Sequence, residues 1–500
     1  MLLSDSRQMA RSRSAHQIHD LHSGMTSTQE RRDAASLRPV RGHLVALTAW
    51  SICCALIAAS RPFDTDAWWH IRVGSWIVQN REIPSTDIFS WTSRSAEWRP
   101  SSWLFDWFLG ATHEALPSRP LLIGITFITF AAVAWSVYRA SRRAGARPWA
   151  SVGATAAFEF LMIPYVAERP QMLSFLLFAL VFTLVSRALR GDRFAFLGLL
   201  AVFILWANIH LSFTIGIALV AATALGYAID TRKFSWPSAV LGASILAGLL
   251  NPFGVNAYSA TTDLSALSRV LDEWQHASIH EVRDVLIVLL AAAALASMIR
   301  TQRWRRLELL LPILALTAFF LYAIRNAPYL LILIAPEIAL GLWSLRSTRL
   351  ARWVVPDAKP IRDGVFLGLL ALILLSATNA TPPRAVTSAH YPIKGVAAIP
   401  SKCRLLNEYS DGGYIIYERW PSVEVSEDGR SIGARSVLKQ QSVISGEPGA
   451  LQWIDAKQVQ CVLVRPDRGI IKLLEARGWT RASSEPSGVL LIRPGFVGSN

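Results

Sequence analysis

Asp64 and Asp66 lie in the polar stretch Arg61-Pro-Phe-Asp-Thr-Asp-Ala-Trp-Trp-His70, directly after an apolar run long enough to cross a membrane. In a carboxylate pair this close, one charge makes the second costly, so one pKa rises unless a cation bridges the two. An ionised member can take the proton of a hydroxyl nucleophile, and the pair can hold a divalent cation such as Mg2+ or Mn2+. The competing reading is N-capping of the helix that begins at Ala67. Asp66 stands nearer that helix, so Asp64 is the expected base and Asp66 the expected cap. His70 falls four residues after Asp66, on the same helical face. It can orient the acid or join both carboxylates at a metal, or it can bond to a lipid headgroup or a neighbouring helix. Asp87, in Pro84-Ser-Thr-Asp87, is a candidate second acid or a turn residue. Trp68, Trp69, Trp91, Trp98, Trp103 and Trp107 either line a groove beside these acids or anchor the segment at the interface.

The elements that must position these residues are membrane helices. Of 500 residues, 52% are hydrophobic and 17% charged, and the mean hydropathy is +0.34, too apolar for an ordinary soluble protein of this length. Apolar runs extend over His43 to Ser60, Leu121 to Tyr138, Trp149 to Tyr165, Met172 to Val185, Phe194 to Ile209, Phe213 to Ile229, Trp236 to Leu250, Val285 to Met298, Leu307 to Ile324, Tyr329 to Leu345 and Val365 to Ala377, which predicts about eleven spans. With the N-terminal tail in the cytoplasm, the Arg-rich connectors 139–147, 187–193, 232–233, 300–306 and 346–362 all fall inside, as the positive-inside rule requires. The same distribution accounts for the net charge of +15 and excludes nucleic acid as the partner. Trp103 to Leu116 is interrupted by Asp106, His113 and Glu114 and reads as an amphipathic helix on the outer surface. Residues 1–42 are expected to be a disordered cytoplasmic tail, and the first span an uncleaved anchor.

Arg169 and Arg325 stand at outer ends of spans, where a guanidinium can hold a lipid phosphate or snorkel to the headgroups. Asn208 and His210 lie in a short outer turn, as substrate contacts or as partners of its own backbone. The long outer segment Asn251 to Asp284 contributes Glu273 as a further candidate.

From residue 379 onward the composition changes to short alternating segments, predicting an extracytoplasmic α/β domain over 379–500 after a membrane domain over 43–378. Arg404 to Asn407, Cys461 to Val464 and Gly488 to Arg493 read as strands, and Gly413 to Trp420 and Gly469 to Arg477 as helices. Asp411-Gly-Gly-Tyr414 reads as a tight turn before a helix rather than a phosphate loop. Cys403 and Cys461 fall in predicted strands of this domain, where a disulfide is allowed.

The order of an N-terminal span, an outer segment (61–120) with D-x-D-x-W-W-H-I and I-P-x-x-D-x-F-S, many further spans and an α/β tail resembles bacterial polytopic proteins of the glycosyltransferase C (GT-C) superfamily. Its better-known members are protein O-mannosyltransferases, lipid A aminoarabinose transferases and oligosaccharyltransferase catalytic subunits. Glu168-Arg-Pro-Gln171, Trp206-Ala-Asn-Ile-His210, Asn251-Pro-Phe-Gly254, Asp272-Glu-Trp-Gln275, Arg325-Asn-Ala-Pro328 and Glu427-Asp-Gly-Arg430 look like the same group. The resemblance implies transfer of a sugar from a polyprenyl-phosphate donor to a glycan, lipid or protein acceptor outside the cytoplasm, with an aspartate of the first outer segment as base. It also implies an outer loop in the second half that helps hold substrate, the reason for naming Glu273. The tail has no W-W-D-Y-G-like segment, which disfavours a protein-asparagine acceptor. A transporter or lipid flippase shares the many spans but should place ionisable residues near the midplane; here they sit at span ends, Glu337 excepted. A non-catalytic scaffold with an extracytoplasmic binding domain is the other alternative, and it would tolerate loss of both aspartates.

Overall fold

The computed structural model describes residues 42–113, 115–258, 274–344, 384–430, 432 and 434–496. Among the described residues twelve α-helices precede the tail: α1 (Gly42–Ala59), α2 (Thr65–Asn80), α3 (Trp103–Thr112), α4 (Ser118–Arg143), α5 (Pro148–Met162), α6 (Gln171–Leu189), α7 (Arg193–Ala207), α8 (Phe213–Thr231), α9 (Ser235–Gly248), α10 (Val282–Arg300), α11 (Leu307–Tyr322) and α12 (Ala327–Ser344). Six helical stretches among the described residues are long and apolar enough to span a membrane, those of α1, α4, α6, α8, α10 and Ile324–Ser344. The expected spans in α5, α7, α9 and α11 are shorter helices, and the eleventh, Val365 to Ala377, lies outside the described residues.

α12 is the axis of the bundle: 67% of its best apolar window is buried, against 28% for α1. Without a hydrophobic drive between helices in lipid, close approach rests on small residues. Gly226 of α8 meets the backbone of Leu307 and Glu308, and Gly341 of α12 meets Ser297 of α10, whose hydroxyl donates to Glu337 O at 2.6 Å. Two buried acids of the bundle each accept from a side-chain donor. Glu337 takes Arg303 in a fork at 2.7 and 2.9 Å. Glu159 of α5, fully buried, accepts from Ser51 of α1 at 2.5 Å. Glu159 corrects the expectation that Glu337 is the one acid within a span. It escaped because a single acid inside Ala-Phe-Glu-Phe-Leu barely perturbs the apolar run.

The connectors expected on the outer side gather at one end. Arg61 donates to Ile163 O and Pro164 O, Leu104 N to Asn208 O, and Tyr165 to Ile324 O. At the other end Arg190 pairs with Glu308, and Arg300 donates to Ser344 O. Helix α3 does form, but it is no free surface helix: Phe105, Asp106, Leu109 and Gly110 are buried against α2. Gly74 and Gly110 lie so close that a Cβ on either would overlap the other helix's backbone.

The tail adds α13 (Ile393–Ala397), β1 (Leu405–Asn407), α14 (Gly412–Arg419), α15 (Ala434–Ile444), α16 (Ala450–Ala456), β2 (Cys461–Val464), α17 (Ile470–Glu475), β3 (Thr480–Glu485) and β4 (Gly488–Ile492). Its sheet has the order β1-β2-β4-β3, with β1 and β2 parallel and the rest antiparallel. β1 and β2 are buried throughout, as continuous apolar strands covered on both faces should be. Cys403 and Cys461 form a disulfide across 58 residues. Gly412 and Gly413 are not a free turn. They begin α14 where any Cβ would strike Glu427 O, Asp428 or Thr65 O, so this pair lets the tail reach α2.

Candidate active site

Asp64 has extended backbone (φ −70°, ψ 135°) and is the N-cap of α2, its Oδ1 accepting from Asp66 N at 2.9 Å. The capping role expected of Asp66 therefore falls to Asp64, because Thr65 and Asp66 already have helical geometry and only Asp64 stands outside the first turn. Arg169 bridges both carboxylates, with Nε 2.8 Å from Asp64 Oδ1 and Nη1 3.1 Å from Asp66 Oδ2. Asp64 Oδ2 takes no hydrogen bond among the described residues. Burial works to raise the Asp64 pKa, but the charge and hydrogen bond of Arg169, the Asp66 N–H and His70 together hold it below the ordinary carboxylate range.

Behind this pair lies a second, fully buried one. Glu168 Oε2 accepts from Asp64 N at 3.1 Å, and its Oε1 is 2.9 Å from Arg384 Nε. Arg384 also donates to Pro62 O at 3.2 Å, Val166 O at 2.7 Å and, through its own backbone N–H, Ala59 O at 2.9 Å. Burial pushes the Glu168 carboxyl up to about 7; Arg384 opposes the rise and Asp64 adds to it.

His70 does not turn to Asp66. Its Nδ1 is 2.6 Å from Asp106 Oδ1, and Ser102 donates to Asp106 Oδ2 at 3.0 Å. His70 is thus bonded to a neighbouring helix, and the acid that interrupted the Trp103 to Leu116 run is its partner. His210 accepts from Ser212 N at 3.1 Å through Nδ1, which leaves the proton on Nε2 as a donor. Although part of its surface is open, burial and the charges of Arg325, His70 and Arg169 push its pKa down to about 3, so it is neutral. Asn208 donates to Ile204 O and Leu250 O and accepts from Trp103 Nε1, serving the turn's backbone and α3. Arg325 lies over the Trp274 ring at 4.3 Å. The expected site residues Asp64, Asp66, His70, Arg169, His210 and Arg325 thus meet electrostatically in one place.

Asp87 stands apart from that group. Its carboxylate is buried, accepts from Phe89 N at 3.0 Å and pairs with Arg430 Nη1 at 2.8 Å. Arg430, 1% exposed, also forks onto Asp428 and lies 4.8 and 4.7 Å over the Phe89 and Trp98 rings. This arrangement fits a clamp between outer segment and tail rather than a second acid. Beside it, Trp91 N donates to Val425 O and Val425 N to Phe89 O, as in a strand pair. Gly429 is seated on Asp66, where a Cβ would overlap Oδ1. Trp68 and Trp69, expected at a groove or interface, are buried; Trp68 is ringed by Phe63, Tyr391, Tyr414 and Tyr417. Glu273 lies outside the described residues. Glu168, Asp106, Arg384 and Arg430 were not singled out from sequence, although Glu168 and Arg430 stand in motifs quoted for the resemblance.

The guanidinium of Arg169 sits where a cation bridging Asp64 and Asp66 would be, and His70 faces Asp106. Among the described residues no group of three or more His, Cys, Asp or Glu side chains is arranged to hold a metal. A divalent cation does not fit the pair as arranged.

No protein-family model matches the chain, and no curated protein sequence matches it. Solved structures do. The oligosaccharyltransferase AglB from Archaeoglobus fulgidus, in complex with an inhibitory peptide and a dolichol-phosphate, matches at TM-score 0.58 and 12% identity over 84% of this chain and 69% of that one. The same organism's oligosaccharyltransferase in complex with Zn and sulfate matches at TM-score 0.54 and 12% identity over 83% and 67%. ArnT from Cupriavidus metallidurans, bound to undecaprenyl phosphate, matches at TM-score 0.53 and 13% identity over 93% of this chain and 100% of that one. The chain shares the fold of these GT-C membrane proteins, the fold that the sequence resemblance predicts.

Proposed function

We propose that this protein is a multi-pass membrane glycosyltransferase that transfers a sugar from a polyprenyl-phosphate donor to an acceptor outside the cytoplasm. The observation that carries this reading is the open Asp64 Oδ2 beside a guanidinium at the surface end of the bundle. An acceptor hydroxyl is a weak nucleophile until a carboxylate takes its proton, and a leaving phosphate needs cationic partners. Asp64 Oδ2 receives the proton. Arg169 and Arg325 bind the phosphate, with His210 Nε2–H donating beside them. As donor phosphate draws Arg169 away from the carboxylates, Asp64 loses the contact that weakens it as a base, so donor binding prepares the acceptor step.

Membranes containing the full chain, incubated with radiolabelled glucose, mannose, galactose or arabinose linked to undecaprenyl phosphate, test the reading. Loss of label from one donor, dependent on Asp64, supports it; a transporter, flippase or scaffold would consume none. The N-terminus is assigned to the cytoplasm and the tail to the opposite side. A cysteine placed at Ser90 or Ser484 should therefore react with an impermeant reagent from outside, and reaction only from the cytoplasmic side would reverse the assignment.

A further inference from the structure

His70 is the group this scheme leaves without a task. It is 4% exposed, and its imidazole is set from several sides. Nδ1 lies 2.6 Å from Asp106, a carboxylate with no exposed surface whose other oxygen takes the Ser102 hydroxyl. The ring stacks on Trp69 at 3.5 Å and meets the edge of Phe105 at 5.7 Å. The Gly74 and Gly110 contact fixes the spacing of α2 and α3, and hence of His70 and Asp106. A histidine held only for packing would have both nitrogens satisfied. Here Nε2 has no hydrogen-bond partner among the described residues, and the ring is close enough to act electrostatically on Asp64 and His210. A carboxylate on Nδ1 fixes the ring and leaves Nε2 available for proton transfer.

We propose that His70 is a further catalytic residue, the general acid that protonates the carrier phosphate as it departs, with Asp106 as its positioning residue. The proposal rests on the glycosyltransferase reading. The acceptor oxygen bonds to the anomeric carbon and passes its proton to Asp64 Oδ2. The bond from that carbon to the phosphate oxygen breaks, and its electron pair stays on the phosphate. The Nε2 proton moves to the phosphate, leaving neutral His70 with Nδ1–H on Asp106. Solvent then removes the Asp64 proton and reprotonates His70. A phosphate monoester takes up its second proton near pH 6, within the range where histidines in general exchange theirs. The titratable and charged groups facing His70 are Asp106 from α3, Asp64 from the loop before α2, and neutral His210 with Arg169 and Arg325 beyond it. From the tail helix packed on α2, Tyr414 and Tyr417 face Trp68 instead.

The test uses the full chain in membranes, the donor found in the panel above, and undecaprenyl phosphate alone as binding probe. His70→Gln should lower kcat by roughly 10² to 10⁴ and remove the alkaline limb of its pH profile, with undecaprenyl phosphate affinity unchanged. Asp106→Asn should lower kcat and displace the same limb. An unaltered pH profile in His70→Gln, or affinity falling in step with kcat, would overturn the role. If His70→Gln does not fold, Ser102→Ala carries the test. It removes one bond to Asp106 and should shift the limb by about half a pH unit; a limb that stays in place refutes the proposal. A wild-type protein that consumes no donor in the panel would instead defeat the glycosyltransferase reading.

Discussion

Replacing Asp64 by asparagine separates catalysis from folding. The asparagine oxygen can still accept from Asp66 N, now at 2.9 Å, and asparagine caps helices about as well as aspartate, so the start of α2 should persist. What disappears is the charge facing Arg169 at 2.8 Å. Both side chains keep some solvent contact, 14% for Asp64 and 27% for Arg169, so this contact is screened, and its loss should lower stability by on the order of 1 kcal/mol. Loss of the base should slow transfer by roughly 10² to 10⁴, or about 2.7 to 5.4 kcal/mol in the barrier. Asp66→Asn should differ. It weakens the second contact of Arg169, at 3.1 Å, but leaves Asp64 Oδ2 in place, so the rate should fall about tenfold or less. The assay follows sugar loss from the radiolabelled donor alongside thermal unfolding in detergent. Full transfer by the double variant Asp64→Asn, Asp66→Asn would refute the base and revive the scaffold.

Three further outcomes follow from the geometry. Glu168 has its folded pKa raised from 4.5 to about 7, so its protonated form contributes stability that is fully present below 4.5 and lost as pH rises through about 7; Glu168→Gln should flatten the thermal midpoint across that window, and an unchanged slope would show that another group governs it. Replacing Cys403 and Cys461 together by alanine opens a 58-residue loop and should destabilise the tail by up to about 4 kcal/mol, read as the unfolding midpoint of the tail; a midpoint insensitive to both the substitution and reductant would contradict this. Arg430→Met strands the buried carboxylates of Asp87 and Asp428 and should cost about 3 to 5 kcal/mol, releasing the tail to protease, whereas wild-type resistance would mean the clamp contributes little.

Ten of the eleven apolar runs coincide with helices because lipid demands that each span satisfy its backbone within itself, which makes hydropathy a local signal. The parallel pair β1 and β2 was legible for a similar reason, being buried on both faces and so continuously apolar. Solvent-edge β3 was missed: Thr480-Arg-Ala-Ser-Ser-Glu485 carries almost no apolar signal. Around the site, residue types were legible and pairings were not. Asp106 read as a flaw in an apolar run, yet its acidity is what His70 requires from α3. The choice of cap between Asp64 and Asp66 depends on where the chain leaves extended backbone, a boundary that composition resolves only to a residue or two. Arg384 finds Glu168 216 residues away and Arg430 finds Asp87 343 residues away, distances over which no periodicity operates.

The clamp between the first outer segment and the tail orders events during biosynthesis. Asp66 and Asp87 are made early, while Gly429, which seats on Asp66, emerges 363 residues after it and Arg430, which pairs with Asp87, 343 residues after it. Until ribosomal synthesis reaches that point, the nascent bundle has its carboxylates without their second wall. A chain stalled before that point would carry α1 to α12 and an incomplete centre.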